Sequence, residues 1–359
     1  MSNVYSGTKI FHFSDALKSL EDGTMSAPIH VRLKPTNRCN HRCTYCCYRN
    51  QDLFLSEMMH EADEIPQESM QRLVEDLCSM GVQAVTFSGG GEPLCYPHIA
   101  DSIRQLADGG VKVAMLTNGG HLKGDVATVL AGRATWVRVS MDAATPQLYA
   151  TNRGVSLDEF DRVCDNLRAF AALPDRRCVL GINFIITREN SAQVLDFLRL
   201  AKDMGIDHVK LSGAVVATRP QENRQYMEPF FDAAKAQITQ GKETLQDDTF
   251  GIVDKLHYPD SENEAFTKTY CWCPFSFCLT VIAADQNIYT CQDKAYTRSG
   301  LLGSIREQRF RDVWFGADLR RRLKAVNPCV DCRHHCVAHA KNLMLLDFLE
   351  ADTDHLEFV

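Results

Sequence analysis

The sequence has few of the features that mark membrane, secreted or nucleic-acid-binding proteins. No apolar run approaches the length of a membrane span, and the first 20 residues contain no basic segment followed by an apolar one. Acidic residues outnumber basic ones, 46 against 39, which gives a net charge of -7. Phosphate backbones are bound through clustered Lys and Arg, so this balance argues against a general nucleic-acid partner. We therefore expect a cytoplasmic protein that binds neither membranes nor nucleic acids.

Cysteine, in contrast, is abundant. The chain of 359 residues contains 15 cysteines. In a reducing compartment such cysteines seldom form disulfides, and their clustering points to metal or redox chemistry. Two regions are enriched in cysteine, one near residue 40 and one after residue 270.

The first region is "KPTNRCNHRCTYCCYRN", residues 34–50, where Cys39, Cys43 and Cys46 have the spacing C-x3-C-x2-C. A structural zinc site usually needs four protein ligands in C-x2-C pairs, and no fourth cysteine continues that pattern here. Three thiolates on a four-iron cluster would leave one iron open to another ligand. The spacing therefore favours an iron-sulfur cluster over zinc and over three cysteines that merely fill a core.

Between residues 29 and 216, apolar strand-like stretches alternate with amphipathic helical ones. The predicted strands are "IHVRLKP", "VQAVTFSGG", "VKVAMLTNG", "TWVRVSMD", "CVLGINFIIT" and "DHVKLSGAVV". Six strand-helix units in series predict an α/β fold with a parallel sheet, either open or closed as a partial barrel. Ligands bind at the carboxyl ends of the strands in both arrangements. The first cysteine region follows the first strand and is thus expected at the active-site face.

Two predicted helices have recognisable signals. One spans "PQESMQRLVEDLCSM", where apolar residues share one face and a glycine follows as a C-cap: Met70, Leu73, Val74, Leu77 and Gly81. The other begins near Ser156, which has Glu159 at capping-box spacing.

The composition predicts four segments along the chain. They are an N-terminal extension (1–28), a strand-helix domain (29–216), a polar connector (217–265) and a smaller cysteine-rich domain (266–359). The last of these ends in an apolar tail that predicts a docking helix with Leu343, Leu346 and Leu349 on one face.

At residues 29–216 the sequence resembles the radical S-adenosylmethionine (radical SAM) superfamily. That family has C-x3-C-x2-C after the first strand, often with an aromatic residue before the third cysteine, which Tyr45 matches here. Its GGE element follows the second strand and is matched by "FSGGGEPL". The resemblance implies a partial (βα)6 barrel of the TIM type, in which Cys39, Cys43 and Cys46 bind a [4Fe-4S] cluster.

The resemblance also implies a binding site for S-adenosyl-L-methionine (SAM), which chelates the open iron and is cleaved to a 5'-deoxyadenosyl radical. The residues implied to contact SAM are Tyr45, Gly90, Gly91, Glu92, Asn118, Ser140, Asp142, Arg153 and Asn183. Arg153 corresponds to the position that holds the SAM carboxylate in related enzymes, and Ser140 and Asp142 to positions near the ribose. The alternative role for the polar residues is in helix caps and turns.

The C-terminal domain resembles the twitch or SPASM extension of certain radical SAM enzymes, which carries auxiliary iron-sulfur clusters. The ligands implied for one auxiliary [4Fe-4S] cluster are Cys273, Cys291, Cys332 and Cys336. The family glycine before the second of these is replaced by Gln286. Cys329 is an alternative ligand, a second cluster that also uses Cys271 and Cys278 remains open, and zinc remains an alternative metal.

The resemblance implies an oxidoreductase that acts on a small molecule, most simply the two-electron dehydrogenation of a sugar or aminocyclitol alcohol. It also implies an electron donor such as flavodoxin or ferredoxin. One alternative is a carbohydrate epimerase in which Cys47, Cys95 or Cys278 returns a hydrogen atom. A peptide-modifying maturase and a non-enzymatic iron-sulfur carrier or redox sensor are the others.

Overall fold

The computed structural model of the protein describes residues 5–49, 53, 55–258 and 266–352. The strands of the described residues are β1 His30–Leu33, β2 Ala84–Phe87, β3 Lys112–Thr117, β4 Ala134–Ser140, β5 Val179–Ile186, β6 His208–Gly213, β7 Gly251–Lys255, β8 Leu279–Ile282, β9 Asn287–Tyr289 and β10 Leu301–Ser304. The helices are α1 Ser14–Glu21, α2 Gln67–Ser79, α3 Ile99–Asp108, α4 Gly124–Arg133, α5 Pro146–Arg153, α6 Asp158–Ala171, α7 Val194–Asp203, α8 Pro220–Met227, α9 Phe231–Thr244, α10 Phe310–Trp314, α11 Ala317–Ala325, α12 Pro328–Asp331 and α13 His339–Glu350. Within these ranges, no helix combines the length and apolar character needed to cross a membrane.

All ten strands belong to one sheet, in the order β10-β9-β8-β1-β2-β3-β4-β5-β6-β7. Strands β1 to β7 are parallel and follow one another in sequence order. Helical segments connect these strands, as parallel neighbours require. The predicted α/β class is confirmed, and the six predicted strands correspond to β1 to β6.

The two faces of the sheet differ in packing. On one face, Leu33, Phe87 and Val137 are fully buried within the main apolar core, which also includes residues of the helices. On the other face, which we call the inner face, the alternate residues Arg32 and Arg138 are only partly buried. This period-two alternation directs polar side chains of the parallel strands toward one common space.

The C-terminal residues extend this sheet instead of forming a separate one. Strand β8 pairs in parallel with β1, with His30 opposite Leu279, and β9 and β10 continue the sheet as antiparallel strands. The segment predicted as a connector contains α8 and α9, and it adds β7 to the other edge of the sheet. The sheet is thus continuous across the predicted domain limits.

Local predictions had mixed outcomes. Helix α2 buries the four predicted apolar residues, and Gly81 follows it with φ +79°. The predicted capping box is wrong, because α6 begins at Asp158 and has no side-chain cap, while the Glu159 carboxylate instead contacts His41. The predicted apolar face of the last helix is wrong in part, because Leu345 is fully buried whereas Leu343 is 41% exposed. The end of that predicted tail lies outside the described residues.

Candidate active site

The loop after β1, which contains Cys39, Cys43 and Cys46, is held on two sides by backbone hydrogen bonds. On one side, Gly91 N donates to Thr36 O at 3.2 Å and Glu92 N donates to Arg38 O at 2.8 Å. On the other side, backbone N–H groups of the loop are the donors. Arg42 N donates to Arg153 O at 2.8 Å, and Thr44 N donates to Asn152 O at 2.9 Å. The glycine-rich loop after β2 and the end of α5 thus fix the shape of the cysteine loop, which we call the Cys loop (residues 34–49).

The glycines after β2 are required by this contact. A Cβ atom on Gly91 would lie 2.1 Å from Arg38 O and 2.4 Å from Asn37 C. A Cβ on Gly90 would lie 2.2 Å from Asn37 Oδ1. Only residues without side chains allow so close an approach. The structure therefore gives the two glycines a packing role against the Cys loop, and their contact with SAM stays a prediction.

Of the four thiols of the Cys loop, Cys39, Cys43 and Cys46 are partly buried, and Cys43 interacts with both of the others. Burial raises the pKa of Cys39 to about 12, and the nearby Cys43 contributes to that shift. Burial also raises the pKa of Cys43, and the charge of the Arg153 guanidinium opposes this rise. Thiolates are the ligands of iron-sulfur clusters, so loading a cluster here would release protons. Three soft donors with no fourth regular partner fit a four-iron cluster with one open iron.

A buried ion pair lies beside Cys43. The Arg153 guanidinium pairs with Asp142 Oδ2, which also accepts from the Tyr45 hydroxyl, and Asp142 Oδ1 accepts from Ile185 N at 2.8 Å. Although burial opposes the charged form, Asp142 raises the pKa of Arg153 well above its usual range. Arg153 Nη1 also lies 3.6 Å from Cys43 Sγ. The structure thus unites three predicted SAM contacts around Cys43, a predicted cluster ligand, and both assignments stay predictions.

Glu92 and Asn118 form a second internal network. The buried Glu92 carboxylate accepts from Thr117 Oγ1 at 2.6 Å, from Asn118 N at 2.7 Å and from Leu94 N at 3.0 Å. Asn118 Nδ2 donates to Asn40 Oδ1 of the Cys loop at 2.7 Å. Burial raises the pKa of Glu92, and these hydrogen bonds counteract the shift. Both side chains therefore position the loops, whatever further contact they make with SAM.

Ser140 and Asn183 are adjacent on the inner face, where Ser140 is the last residue of β4 and Asn183 lies three residues before the end of β5, at Ile186. They are direct partners in the strand register, and both are partly buried. Neither side chain forms a hydrogen bond to another described residue, as judged from the polar contacts of β4 and β5. Their hydrogen-bonding groups are thus available to a ligand at this edge, as a SAM contact would require.

The C-terminal cysteines divide into two groups. Burial raises the pKa of the Cys291 thiol well above its usual range, and its acidic neighbours add to the shift: Asp293, Cys336, Cys273 and Cys332. The four predicted auxiliary ligands therefore lie close together. Cys329 is instead hydrogen-bonded to Tyr270 O at 3.3 Å and interacts with Cys271. This geometry favours Cys336 over Cys329 as the fourth ligand, which remains a prediction.

The other cysteines considered as hydrogen donors have separate surroundings. Cys278 is buried in a small apolar cluster with Leu17 and Leu345. Cys47 lies beside Lys34, whose charge moderates the rise in its pKa. Cys95 Sγ lies 3.8 Å from Asn40 Oδ1 near the Cys loop. Of the three, Cys47 and Cys95 are close to the predicted SAM cluster.

Two residues of the site were missed by the sequence analysis. The buried His41 contacts Glu159 Oε1 through Nε2 at 3.0 Å, which ties the Cys loop to α6. Lys34, fully buried at the start of the loop, donates to Tyr48 Oη at 2.6 Å and to Gly89 O at 3.0 Å. The sequence contained one signal for Lys34, namely a lysine directly after an apolar strand. Burial lowers the pKa of Lys34 to about 7.

Neither cysteine group has the geometry of a site for a single metal ion. In the part of the chain that the structure describes, no three Cys, His, Asp or Glu side chains are close enough together to hold one metal ion. Both groups consist of thiols, the donor type that iron-sulfur clusters and zinc share. The ligand assignments therefore remain predictions that rest on residue type and proximity.

Comparison with known proteins places this site in a family context. Residues 33–172 match the radical SAM superfamily. Among curated proteins, the chain is 28% identical over 195 residues to GTP 3',8-cyclase of Limosilactobacillus fermentum, a match that covers 53% of this chain and 56% of the cyclase. It is 25% identical over 318 residues to AdoMet-dependent heme synthase of Methanosarcina barkeri, covering 83% and 85% of the two chains. It is 25% identical over 332 residues to mycofactocin maturase MftC of Mycobacterium ulcerans, covering 89% and 84%.

Solved structures show the same fold. SuiB of Streptococcus suis bound to its precursor peptide SuiA aligns with a TM-score of 0.62 at 16% identity, covering 90% of this chain and 73% of SuiB. anSMEcpe with bound AdoMet aligns with a TM-score of 0.57 at 16% identity, covering 90% and 96%. At these identities the likeness establishes the arrangement of the chain, not its reaction.

Proposed function

Because residues 33–172 match the radical SAM superfamily, we propose that this protein is a radical SAM enzyme that oxidises an organic substrate by two electrons. The observation that carries the proposal is a pair of separate cysteine groups in one fold. The first group is Cys39, Cys43 and Cys46 in the loop after β1, and the second is Cys273, Cys291, Cys332 and Cys336 in the C-terminal segment. When bound, a [4Fe-4S] cluster with SAM supplies a hydrogen-abstracting 5'-deoxyadenosyl radical, and an auxiliary [4Fe-4S] cluster supplies an electron acceptor.

In this proposal the Cys loop and its neighbours hold the first cluster and SAM. Cys39, Cys43 and Cys46 are the cluster ligands, and Arg153 beside Cys43 fixes the position of that thiolate. Ser140, at the end of β4, and its register partner Asn183 on β5 bind SAM. The Glu92 and Asn118 network keeps the loops in place, since each of its members bonds to a neighbouring segment.

The auxiliary cluster in this proposal is held by Cys273, Cys291, Cys332 and Cys336. Lys268 supports this arrangement, because its ammonium group is buried nearby and interacts with Cys336, Cys332 and Cys291. A cluster with four thiolate ligands carries negative charge, and a buried ammonium group would stabilise it. Electron supply from a flavodoxin or ferredoxin belongs to the same proposal.

The first candidate substrate is a small alcohol of the sugar or aminocyclitol class. Oxidation of its carbinol carbon to a carbonyl removes two hydrogens, which matches one hydrogen-abstracting cofactor and one electron acceptor. The support is chemical, in that the four C-terminal thiols have no other evident use in the structure.

A specific observation favours a second candidate, modification of a peptide. The curated relatives that the chain matches over more than four fifths of its length include mycofactocin maturase MftC. The fold also aligns over 90% of this chain with SuiB in complex with its precursor peptide. A peptide oxidation uses the same two cysteine groups, so the two candidates differ only in the substrate bound at the inner face.

Formation of 5'-deoxyadenosine tests the common proposal. The anaerobically purified and reconstituted protein, given SAM and dithionite, should release 5'-deoxyadenosine. The triple variant C39A/C43A/C46A should lose both this activity and about four irons, the content of one cluster. The matched control C78A changes a thiol on α2, away from both groups, and should retain both. Full activity in the triple variant would refute the assignment of these cysteines as cluster ligands, and a wild-type protein that releases no 5'-deoxyadenosine would favour a carrier or sensor.

The mass of the product identifies the type of reaction. Candidate alcohols and peptides are incubated in deuterated water, and the substrate that increases 5'-deoxyadenosine is analysed by mass spectrometry. A small product that has lost two hydrogens supports the dehydrogenase, and an oxidised or cross-linked peptide supports the maturase. An isomer that carries solvent deuterium would identify an epimerase and overturn the proposed oxidation.

A further inference from the structure

The inner face of the sheet lines a polar space. Along β4, Val137 and Val139 are fully buried under the helices, whereas Arg138 and Ser140 on the inner face remain partly accessible. On β1, Leu33 is fully buried and Arg32 is partly accessible. Interiors of closed β/α barrels are filled by branched apolar side chains, which these positions lack. The inner face is therefore suited to hold a ligand.

Positive charge accumulates on this face. Arg32 and Arg138 project from it beside Lys34, whose pKa of about 7 leaves it only partly charged, and none of the three forms an ion pair with a carboxylate of the described residues. Asp293 acts on Arg32 and Lys34 from a longer distance. The groups whose charges act on Arg138 are Tyr5 and Arg32. For a chain with a net charge of -7 this local excess of cations is unexpected.

Arg138 is positioned by aromatic neighbours. Its guanidinium carbon lies 4.9 Å from the centre of the Trp136 ring and 5.3 Å from that of Tyr5. Nη2 donates to Tyr5 Oη at 2.8 Å, and Nε is buried without a hydrogen-bond acceptor among the described residues. The guanidinium plane is thus held by stacking, while part of its donor capacity is unused.

Among the described residues, no neighbour neutralises the Arg138 guanidinium. Tyr5 Oη also lies 3.0 Å from His208 Nε2. Burial raises the pKa of Tyr5, and burial with the charge of Arg138 lowers the pKa of His208 to about 4. Tyr5 and His208 are therefore both neutral at pH 7, whereas an arginine keeps its charge. A largely buried cation without a counter-ion is costly unless an anion binds to it.

We propose that Arg138, together with Arg32, binds an oxyanion of the substrate, either a carboxylate or a phosphate monoester. The inference rests on the proposed function, because it assigns the substrate class of that enzyme. A planar guanidinium matches both anions through paired hydrogen bonds, and Nε is the free donor on one edge of the fork.

The position of Arg138 fits this role. It lies two residues before Ser140 on the same face of β4, about 7 Å along the strand. A substrate anchored at Arg138 would extend toward the edge where Ser140 and Asn183 are available to SAM. The reacting carbon would then lie a few bonds from the anion, as in an amino acid, a peptide carboxyl terminus or a sugar phosphate.

Anion binding is measured by calorimetry on the reconstituted holoprotein with SAM, at constant ionic strength. The probes are glutarate, inorganic phosphate and the neutral glutaramide. We expect one saturable site for an anion and none for glutaramide. Arg138→Gln should weaken binding at least about tenfold, the size of a lost charged hydrogen bond. The matched control Arg168→Gln removes an exposed arginine that pairs with Asp165 on α6 and should bind as the wild type does.

The outcomes distinguish a carboxylate from a phosphate as the bound anion, and they distinguish failure of the anion site from failure of the proposed function. Binding of glutarate alone assigns a carboxylate, binding of phosphate alone assigns a phosphate monoester, and binding of both supports the shared oxyanion site. Absence of anion binding, equal binding of glutaramide, or unchanged binding in Arg138→Gln overturns the inference. If Arg138→Gln does not fold, Arg32→Gln must show the loss. The titration needs no turnover, so a wild-type protein that binds anions but releases no 5'-deoxyadenosine would contradict the proposed function alone.

Discussion

The ion pair between Asp142 and Arg153 offers a direct test of how the site is held together. The side chains of both residues are at least 95% buried, and Asp142 also accepts hydrogen bonds from Tyr45 and from Ile185 N. Asp142→Asn keeps the shape of the side chain but removes its charge. The Arg153 guanidinium would then be buried without a counter-ion, which typically costs about 3–5 kcal/mol. We expect the free energy of unfolding to fall by that amount.

The assay is urea unfolding of the metal-free protein, followed by circular dichroism. The control Asp101→Asn removes an acid that pairs with Arg104 on the surface, where 66% of the aspartate side chain is exposed, and it should cost less than about 1 kcal/mol. Adding Arg153→Met to Asp142→Asn should recover part of the loss, since an apolar replacement of both partners leaves no unpaired charge. A loss below about 1 kcal/mol in Asp142→Asn, or strict additivity in the double variant, would refute this account.

Three further predictions concern the cysteine groups, the glycine-rich loop and the inner face. Cys336→Ser should remove about four irons, whereas Cys329→Ser should retain them; iron analysis of both variants decides, and the reverse result would exchange the two assignments. Gly91→Ala should lower the iron content of the reconstituted protein because its Cβ would collide with the Cys loop. The control Gly132→Ala adds a Cβ where there is open space and should bind iron as the wild type does. Equal iron content in the two variants would show that the loop adapts to the added Cβ. His208 has a folded pKa of about 4 against 6.5 when unfolded, so the unfolded state binds more protons between these values and stability should fall as the pH drops through them. His208→Gln should reduce that fall in pH-dependent unfolding experiments, and an unchanged slope would contradict the assignment.

The sequence was sufficient to predict the repeating part of the fold. The apolar strand-like stretches located β1 to β6, and these strands bring Ser140 and Asn183 together as direct partners in the register of β4 and β5. These features follow from local geometry, because parallel strands that follow one another in the chain usually lie side by side.

Contacts between distant segments could not be predicted in the same way. Glu159 had the spacing of a capping box, yet its carboxylate contacts His41, more than a hundred residues earlier. The Glu159 carboxylate had two possible partners, the backbone at the start of α6 and the buried His41 imidazole, and in the structure it contacts the imidazole. The cation-rich inner face was missed for a similar reason. Arg32, Arg138 and Tyr5 come from three separate segments, and only the folded sheet shows that no acid of the described ranges pairs with the two arginines.

The pairing of β8 with β1 has a consequence for how the protein is made. Strand β1 is synthesised before β2 to β7, whereas its partner on one side, β8, which places Leu279 opposite His30, follows all of them. An edge that remains unpaired until β8 is made is a site for misassociation between chains. Production of this protein should therefore depend on chaperones that protect the β1 edge, and fragments that end before β8 should be the forms most prone to aggregate.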